Sequence, residues 1–186
     1  SPEGNISLSI AFADREFDVP ISIATGILVK DALTEVFNLD SIKLKWPNDL
    51  VFEKKKIGGI LVEKEVFSNY TKAIVGIGIN LELDKKESWW GDFGDLNGKN
   101  LRDKIINKIL VKFEALFRDG LSDWKNLWNQ SCIHNDAIIS VARNDEIIKG
   151  KYLGINDSGE LLLEKKIGDI ISFSSGEVSI KGIYNK

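Results

Sequence analysis

The feature that most constrains the fold is a change of pattern after Cys132. From there onward, short apolar strands alternate with turn residues, in the segments AIISVAR, EIIKGKYLGI, ELLLEK and DIISFSSGEVSIKGI. The sequence NDSG at 156–159 is typical of a tight turn between strands. About fifty residues with strands this closely spaced favour a small SH3-like β-barrel. We therefore divide the chain into residues 1–132 and a C-terminal domain at residues 133–186.

The first part of the chain mixes strands and helices, which indicates an α/β domain. Apolar and polar residues alternate at 5–12, which predicts a half-buried strand. Residues 20–37 and 100–120 have the apolar spacing of amphipathic helices. The run AIVGIGINLEL at 73–83 is apolar enough for an interior strand. Residues 84–99 show no periodicity, and a loop of this length in a compact domain is usually functional or mobile.

Composition excludes several functional classes. A net charge of -3 and a pI near 5.3 argue against wholesale binding to nucleic acid or an anionic membrane. No apolar run approaches the roughly 20 residues that a membrane helix needs. Cys132 is the single cysteine, so no intramolecular disulfide forms, and a reducing, cytoplasmic location is expected. His134 is the single histidine and lacks companions at ligand spacing, so no metal-binding residues are predicted.

The stretch KWPNDLVFEKKKIGGILVE at 45–63 predicts a hairpin with lysines at its tip. Spacing alone favours a surface turn for Lys56 and ordinary turn chemistry for Asp49. The alternative is that Lys56 points over the sheet and clamps a carboxylate and a phosphate, while Asp49 accepts hydrogen bonds from an incoming amine. Gly58 and Gly59 support this alternative, because glycines inside a strand usually mark a backbone that a ligand or a neighbouring chain approaches closely.

Two further features could contact a ligand. The sequence GIGIN at 76–80 lacks the third glycine and the following helix of a dinucleotide-binding fingerprint. Its glycines are more typical of a strand on which a ligand lies flat, and Asn80 offers an amide donor and acceptor to a base or ribose. Trp89 and Trp90 interrupt the predicted loop, which favours either a patch that binds a partner or a lid.

Taken together, these motifs resemble the biotin protein ligase family. KWPNDL, KIGGILVE and GIGIN follow the family's order and spacing, and the likeness continues through LSDWKNLWN to YLGINDSGELLLE and SSGEVSIK. The resemblance covers essentially the whole chain. It implies a partial mixed sheet with helices, of the class II aminoacyl-tRNA synthetase and biotin ligase type, followed by an SH3-like barrel. An aminoacyl or lipoyl transferase is disfavoured, because the lysine motif with GGILVE is characteristic of biotin ligases.

The resemblance implies an ATP-dependent ligase that acts in two steps. The carboxylate of biotin would attack the α-phosphate of ATP, and Mg²⁺ would assist the leaving pyrophosphate. A lysine of a biotin carboxyl carrier protein would then attack the resulting biotinyl-AMP. Lys56 would stabilise the charge that develops as the anhydride forms, and Asp49 would orient the acceptor lysine.

The resemblance also implies a set of residues that bind biotin, ATP or biotinyl-AMP. Asn80 would bind the nucleotide, while Trp89 and Trp90 would exclude water from the anhydride. Lys181 stands where many relatives have arginine, which keeps the charge but loses bidentate geometry. For Trp46 we favour packing over ligand contact. The full set is Lys45, Trp46, Asn48, Gly58, Gly59, Ile60, Gly76, Gly78, Asn80, Trp89, Trp90 and Lys181.

The chain departs from the family pattern at its beginning. It opens with SPEGN and has no methionine, whereas the family has a Gly/Arg-rich phosphate loop and residues of the biotin pocket before this point. We therefore expect an N-terminally truncated catalytic domain with impaired turnover. Missing strands would expose a sheet edge, which a homodimer could cover. The alternative function is a non-catalytic module that binds a nucleotide or the carrier protein.

Overall fold

The computed structural model describes residues 5–14, 18–68, 71–84, 87–143, 146–175 and 178–181. The elements in chain order are β1 Ile6–Asp14, α1 Ile21–Phe37, β2 Lys43–Lys45, β3 Asp49–Phe52, β4 Lys55–Val66, β5 Thr71–Ile79, α2 Arg102–Asp119, α3 Trp124–Ser131, β6 Ile138–Arg143, β7 Glu146–Ile155, β8 Leu161–Lys166, β9 Asp169–Phe173 and β10 Val178–Lys181. Two short 3-10 helices, Gly94–Leu96 and Gly98–Leu101, precede α2. The fold is therefore mixed α/β, as the sequence predicts.

The first sheet is antiparallel and has the strand order β1-β5-β4-β3-β2. Strand β5 pairs with both β1 and β4, which confirms the prediction of an interior strand. Val75, Ile77 and Ile79 of β5 are buried, whereas Gly76 and Gly78 lie on the opposite face. One face of the sheet therefore forms the core, and the other face is left open.

Helices α1 and α2 cover the core face of the first sheet. Helix α1 packs on β2, β3 and β4, and α2 packs on β1 and α1. Glu35 joins the two helices, because its carboxylate lies 2.5 Å from Lys108 Nζ and 2.7 Å from Lys112 Nζ. Hydrogen bonds from these two lysines lower the pKa of Glu35. No helix within the described ranges is long and apolar enough to cross a membrane.

The second sheet is also antiparallel, with the order β10-β6-β7-β8-β9. The NDSG turn joins β7 to β8, and Asn156 Oδ1 accepts hydrogen bonds from the backbone N–H groups of Ser158 and Glu160, both at 3.0 Å. Gly159 has a φ of +76°, which glycine adopts without strain. In the part of the chain that the structure describes, no ladder joins β9 to β10, so the predicted closed barrel is not confirmed.

Buried contacts link the two sheets through one continuous core. The indole of Trp46 donates a hydrogen bond to the carbonyl of Gly159 at 3.0 Å. The indole of Trp128 on α3 donates to the hydroxyl of Tyr152 on β7, also at 3.0 Å. These aromatic residues fix the second sheet against the side of the first sheet that carries β2.

Candidate active site

Predicted site residues on four strands, together with Ser7 on β1, lie in one row across the first sheet. The ladder register places Ser7 opposite Gly78, Gly78 opposite Gly59, Gly59 opposite Asp49, and Asp49 opposite Lys45. Residues opposite each other in a ladder share one face of the sheet. The open face therefore presents two adjacent glycines between a hydroxyl group on one side and charged groups on the other.

Three glycines leave space above this face, whereas Gly58 does not. A Cβ added at Gly76 or Gly78 would meet its nearest atom at 3.8 or 3.9 Å, which is ordinary contact. A Cβ at Gly59 would lie 3.6 Å from Cε and Nζ of Lys56. At Gly58 it would lie 2.4 Å from the carbonyl oxygen of Gly78, a distance that real side chains do not adopt. Strand packing therefore requires Gly58, and we refer to Gly59, Gly76 and Gly78 as the glycine floor.

A β-bulge directs Lys56 to the floor side of the sheet. Strict alternation from Gly59 would place Ile57 on the open face and Lys56 in the core. The ladder instead skips Ile57, since Leu50 lies opposite Gly58 and Val51 lies opposite Lys56. Ile57 is consequently buried, and the Lys56 side chain is 33% exposed beside the floor.

Lys56 forms part of a cluster of three charged side chains. Its Nζ lies 2.5 Å from Asp49 Oδ1, and Lys45 Nζ lies 3.5 Å from Asp49 Oδ2. The side chains of Asp49 and Lys45 are only 12% and 10% exposed. Two ammonium groups and one carboxylate leave one positive charge in excess, which favours an anionic ligand at the exposed member, Lys56.

Asn48 fastens the turn before Asp49 to the neighbouring strand. Its side-chain Nδ2 donates to the carbonyl of Ile60 at 2.7 Å, and the backbone N–H of Ile60 donates to the carbonyl of Asn48 at 2.9 Å. This reciprocal pair fixes the point at which the chain enters β3. Asn48 and the buried Ile60 therefore hold Asp49 beside Gly59.

Residues 87–99 of the predicted loop fold back onto the start of β4. The backbone N–H of Lys56 donates to the carbonyl of Trp89, and the N–H of Gly91 donates to the carbonyl of Lys56, both at 2.9 Å. The amide of Asn80 donates to the carbonyl of Gly91 at 3.0 Å. The rings of Trp89 and Trp90 meet edge to face, with centroids 5.4 Å apart. The loop thus presents two indoles beside Lys56, and Asn80 helps to hold it.

The floor, the loop and Lys56 enclose a cavity of about 830 Å³, which is within the usual size range of small-molecule sites. Its described lining consists of Lys56, Gly58, Gly59, Gly78, Asn80, Leu83, Asp84, Trp89 and Trp90. A groove of about 330 Å³ continues along the floor, past Gly76 and Leu61 to Ser7 and Ser9. The cavity and the groove share Lys56. A ligand with two parts could therefore span both, with an acidic group at the lysine.

Three residues of the predicted set lie elsewhere. Trp46 is buried and bonded to Gly159, which agrees with a packing role. Lys45 lies beside Asp49, and neither residue is in the described lining of the cavity or the groove. Lys181 lies in β10 opposite Ser140, and its side chain falls outside the described part of the chain.

Several residues of the site were missed by sequence reasoning. Leu83 and Asp84 line the cavity, and Ser7 and Ser9 line the groove. Alternation placed the two serines on the polar face of β1, but no local signal indicates that β1 neighbours β5. Asp92 shapes the loop, because its carboxylate accepts hydrogen bonds from the backbone N–H groups of Leu83 and Gly94, each at 3.0 Å.

Behind the charged cluster, His134 lies at the junction of the two sheets. It is 1% exposed, and its ring centroid lies 5.6 Å from that of Tyr152. Burial, and secondarily the positive charge of Lys45, lowers the pKa of His134 to about 4, so the imidazole is neutral at pH 7. Burial likewise raises the pKa of the Cys132 thiol. Within the described ranges, no three His, Cys, Asp or Glu side chains are grouped closely enough to hold a metal ion.

Two family models match the chain at its two sheets. The Biotin/lipoate A/B protein ligase family matches residues 1–80, which leaves biotin and lipoate as alternatives. The Biotin protein ligase C terminal domain matches residues 138–181, which favours the biotin branch. Both parts of the chain are therefore similar to biotin protein ligases.

Individual relatives agree with this family. The bifunctional ligase/repressor BirA of Salmonella typhimurium is 28% identical over 173 residues, which cover 88% of this chain and 53% of BirA. Biotin--protein ligase 2 of Arabidopsis thaliana is 27% identical over 188 residues, covering 91% and 56%. The chain thus spans about half the length of the curated relatives it matches. Biotin protein ligase from Aquifex aeolicus, solved in complex with biotin and ATP, has the same fold, with a TM-score of 0.70, 24% identity, and coverage of 94% of this chain and 78% of that one.

Proposed function

We propose that this chain carries the catalytic face of an ATP-dependent biotin protein ligase. It would form biotinyl-AMP and transfer the biotin to a lysine of a biotin carboxyl carrier protein. The observation that carries the proposal is the Lys56–Asp49 ion pair of 2.5 Å at the edge of a glycine floor, beside a cavity of about 830 Å³. Similarity to biotin protein ligases supports the choice of substrates.

In the first step, Lys56 neutralises charge on oxygen. The biotin carboxylate forms a bond to the α-phosphorus of ATP, and the bond from that phosphorus to pyrophosphate breaks. The ammonium of Lys56 is exposed to the cavity on a flexible stem, so it can contact oxygens of both the carboxylate and the phosphate. The glycine floor supports this role, since no side chain separates a ligand from the backbone beside Lys56.

The loop and Asn80 form the nucleotide side of the cavity. Trp89 and Trp90 provide two apolar rings next to Lys56, where they would exclude water from a mixed anhydride that water hydrolyses. Asn80 lies at the base of the loop and offers its amide to the nucleotide. The side chain of Asn80 would therefore both contact the nucleotide and hold the loop.

Mg²⁺ is proposed to arrive with the triphosphate. This ion is usually held by one or two carboxylates together with the phosphates of the substrate. Asp84 lines the cavity and fits such a partial ligand set. When bound, the ion would neutralise charge on the departing pyrophosphate.

In the second step, Asp49 orients the acceptor lysine. Asp49 lies opposite Gly59 in the ladder, so an amine that contacts this carboxylate is beside an acyl group lying on the floor. The carboxylate accepts hydrogen bonds from the amine and directs it toward the acyl carbon.

The division of the chain is part of the same proposal. Residues 1–132 would form the catalytic domain and residues 133–186 an SH3-like C-terminal domain. The family match at 138–181 and the antiparallel second sheet support this division. Lys181 as a ligand contact, a homodimer through the β1 edge, and a cytoplasmic location stay predictions.

Biotin-dependent exchange of labelled pyrophosphate into ATP tests the proposal. We expect measurable but impaired exchange with the wild-type sequence, and a further loss of at least about 100-fold in Lys56→Ala. Lys54→Ala, at the exposed tip of the same hairpin, is the matched control and should retain activity. If neither this chain nor any longer form that its gene encodes catalyses exchange, the proposal is wrong. Unchanged exchange in Lys56→Ala would remove the role given to that lysine.

A further inference from the structure

The third charge of the cluster has no part in the two steps described above. Lys45 is one of the few buried charged residues in the described ranges, at 8% exposed. Burying an ammonium is costly, and lysine is almost never buried unless it is paired. One of its partners is Asp49, whose Oδ2 lies 3.5 Å from Lys45 Nζ. The buried ammonium of Lys45 therefore lies next to the carboxylate that we propose contacts the acceptor lysine.

The two lysines hold different oxygens of Asp49 and differ in freedom. Lys56 approaches Oδ1 from the cavity, and the absence of a side chain at Gly59 leaves room for its stem to turn. Lys45 contacts Oδ2 from β2, the strand on which it lies directly opposite Asp49. Its side chain is 10% exposed, against 33% for Lys56. One ammonium is therefore free to move toward a ligand, while the other is held in place.

We propose that Lys45 is a positioning residue and that Oδ1 of Asp49 is a site where ammonium groups exchange. Lys56 occupies this site before the ligand binds. When Lys56 turns to the acyl phosphate, the ammonium of the acceptor lysine takes its place on Oδ1. Lys45 stays on Oδ2 throughout, so the carboxylate keeps a counter-charge and a fixed orientation. This inference rests on the proposed function of the cavity.

The transfer step balances without a further reactant. The acceptor ammonium loses one proton to solvent and becomes the nucleophilic amine. Its nitrogen forms a bond to the acyl carbon of biotinyl-AMP, and the bond from that carbon to the phosphate oxygen breaks, with the electron pair leaving on AMP. A second proton then leaves the nitrogen to solvent, and the products are an amide and AMP.

Removal of Lys45 should impair this step for acceptors that arrive as ammonium ions. Without Lys45, Lys56 is the remaining lysine of the cluster at Asp49, and the acceptor must displace it from a carboxylate that has lost its second cation. Loss of one charge-assisted contact corresponds to roughly a 10- to 100-fold slower transfer. A neutral amine such as hydroxylamine does not need the ammonium site, so its reaction should be nearly unchanged.

The experiment supplies synthetic biotinyl-AMP to the protein and measures transfer to two acceptors, a purified biotin carboxyl carrier domain and hydroxylamine. We expect Lys45→Met to slow transfer to saturating carrier by roughly 10- to 100-fold and transfer to hydroxylamine by less than about threefold. Lys45→Arg, which keeps the charge, should restore most of the carrier rate. Lys43→Met is the matched control, since this lysine lies two residues away on β2 and donates to the carbonyl of Gln130.

Three results would overturn the inference: an equal loss for both acceptors, no loss for either, or an Arg variant no better than Met. If circular dichroism shows that the Lys45→Met variant does not fold, the Lys45→Gln variant is used in its place. Pyrophosphate exchange, measured in parallel, reports separately on the proposed function, because synthetic biotinyl-AMP bypasses adenylation. A wild-type protein that does not accelerate transfer from biotinyl-AMP also contradicts the inference.

Discussion

The outer faces of the two sheets differ in the side chains that they expose. On the first sheet, Gly59 and Gly78 leave the face bare, and a loop with two tryptophans stands over it. On the second sheet, Ile138 and Ile147 project from the corresponding face and are 69% and 67% exposed. Both sheets are five-stranded and antiparallel, and each buries its other face. The proposed binding face is thus the one that carries few side chains.

Glycines occur in both sheets, and the space around an added Cβ distinguishes two structural roles for them. Gly58 and Gly150 are tightly packed, since an added Cβ would lie 2.4 Å from the Gly78 carbonyl oxygen and 2.5 Å from that of Glu164. Gly76 and Gly78 have only ordinary contacts at 3.8 and 3.9 Å. A tightly packed glycine is therefore required by the sheet itself, whereas a glycine with open space above it leaves room for the proposed ligand.

The largest expected effect concerns the tightly packed glycines. Gly58→Ala and Gly150→Ala should each lower the free energy of unfolding by about 3 kcal/mol or more, because the new methyl group would press against a backbone carbonyl that cannot move independently. Urea denaturation measures this loss. A Gly58→Ala protein as stable as the wild type would break the distinction between the two kinds of glycine.

The junction between the sheets should make stability depend on pH. The pKa of His134 is about 4 in the folded protein and about 6.5 when unfolded, so the unfolded chain binds more protons between these values. The stabilisation is complete above pH 6.5 and is lost as the pH falls toward 4, by up to about 3 kcal/mol. Urea titrations across this range should show the loss, and His134→Gln should remove it. If only one sheet weakens, the two sheets are not one cooperative unit.

A smaller effect is expected at the glycine floor. Gly78→Ala should leave the free energy of unfolding within about 0.5 kcal/mol of the wild type, because the methyl group meets no atom closer than 3.9 Å. It should weaken the binding of biotin or ATP by about tenfold, since one added methyl group takes ligand space. Calorimetric titration of each ligand measures the change. Unaltered affinity for both would show that neither lies on this strand.

The smallest effect is expected on the exposed face of the second sheet. Ile147→Thr keeps a β-branched residue at a position that is 67% exposed, so unfolding should change by less than about 0.5 kcal/mol and ligand affinity should not change. The same titrations measure both quantities. A large loss would mean that this face, like the first, is covered in solution.

The elements of the fold followed from local sequence patterns, but their arrangement did not. Apolar spacing predicted α1, α2 and the interior strand, and Asn-Asp-Ser-Gly predicted the turn at 156–159. The row from Ser7 to Lys45 depends on which strands pair and in what register, and pairing joins residues far apart in sequence. Strand order is therefore not contained in any local pattern.

The bulge at Ile57 is a second reason why the arrangement of the site could not be fully predicted from the sequence. Simple alternation assigns Lys56 to the core, and only the skipped residue brings its side chain to the floor. Asn80 was expected at the nucleotide, but its bond to Gly91 in the loop depends on how 87–99 folds back. The motifs identified the important residues, whereas the folded backbone determines which of them meet.

The glycine floor limits how this site can evolve. Every substitution at Gly59, Gly76 or Gly78 adds atoms, so mutation can make the floor shallower but cannot deepen it. A variant selected for a bulkier acyl group must gain its space from the walls, where Leu61 and the loop indoles are large enough to be trimmed. The residues of the cavity walls would therefore determine which substrates fit, because no substitution can make the glycine floor deeper.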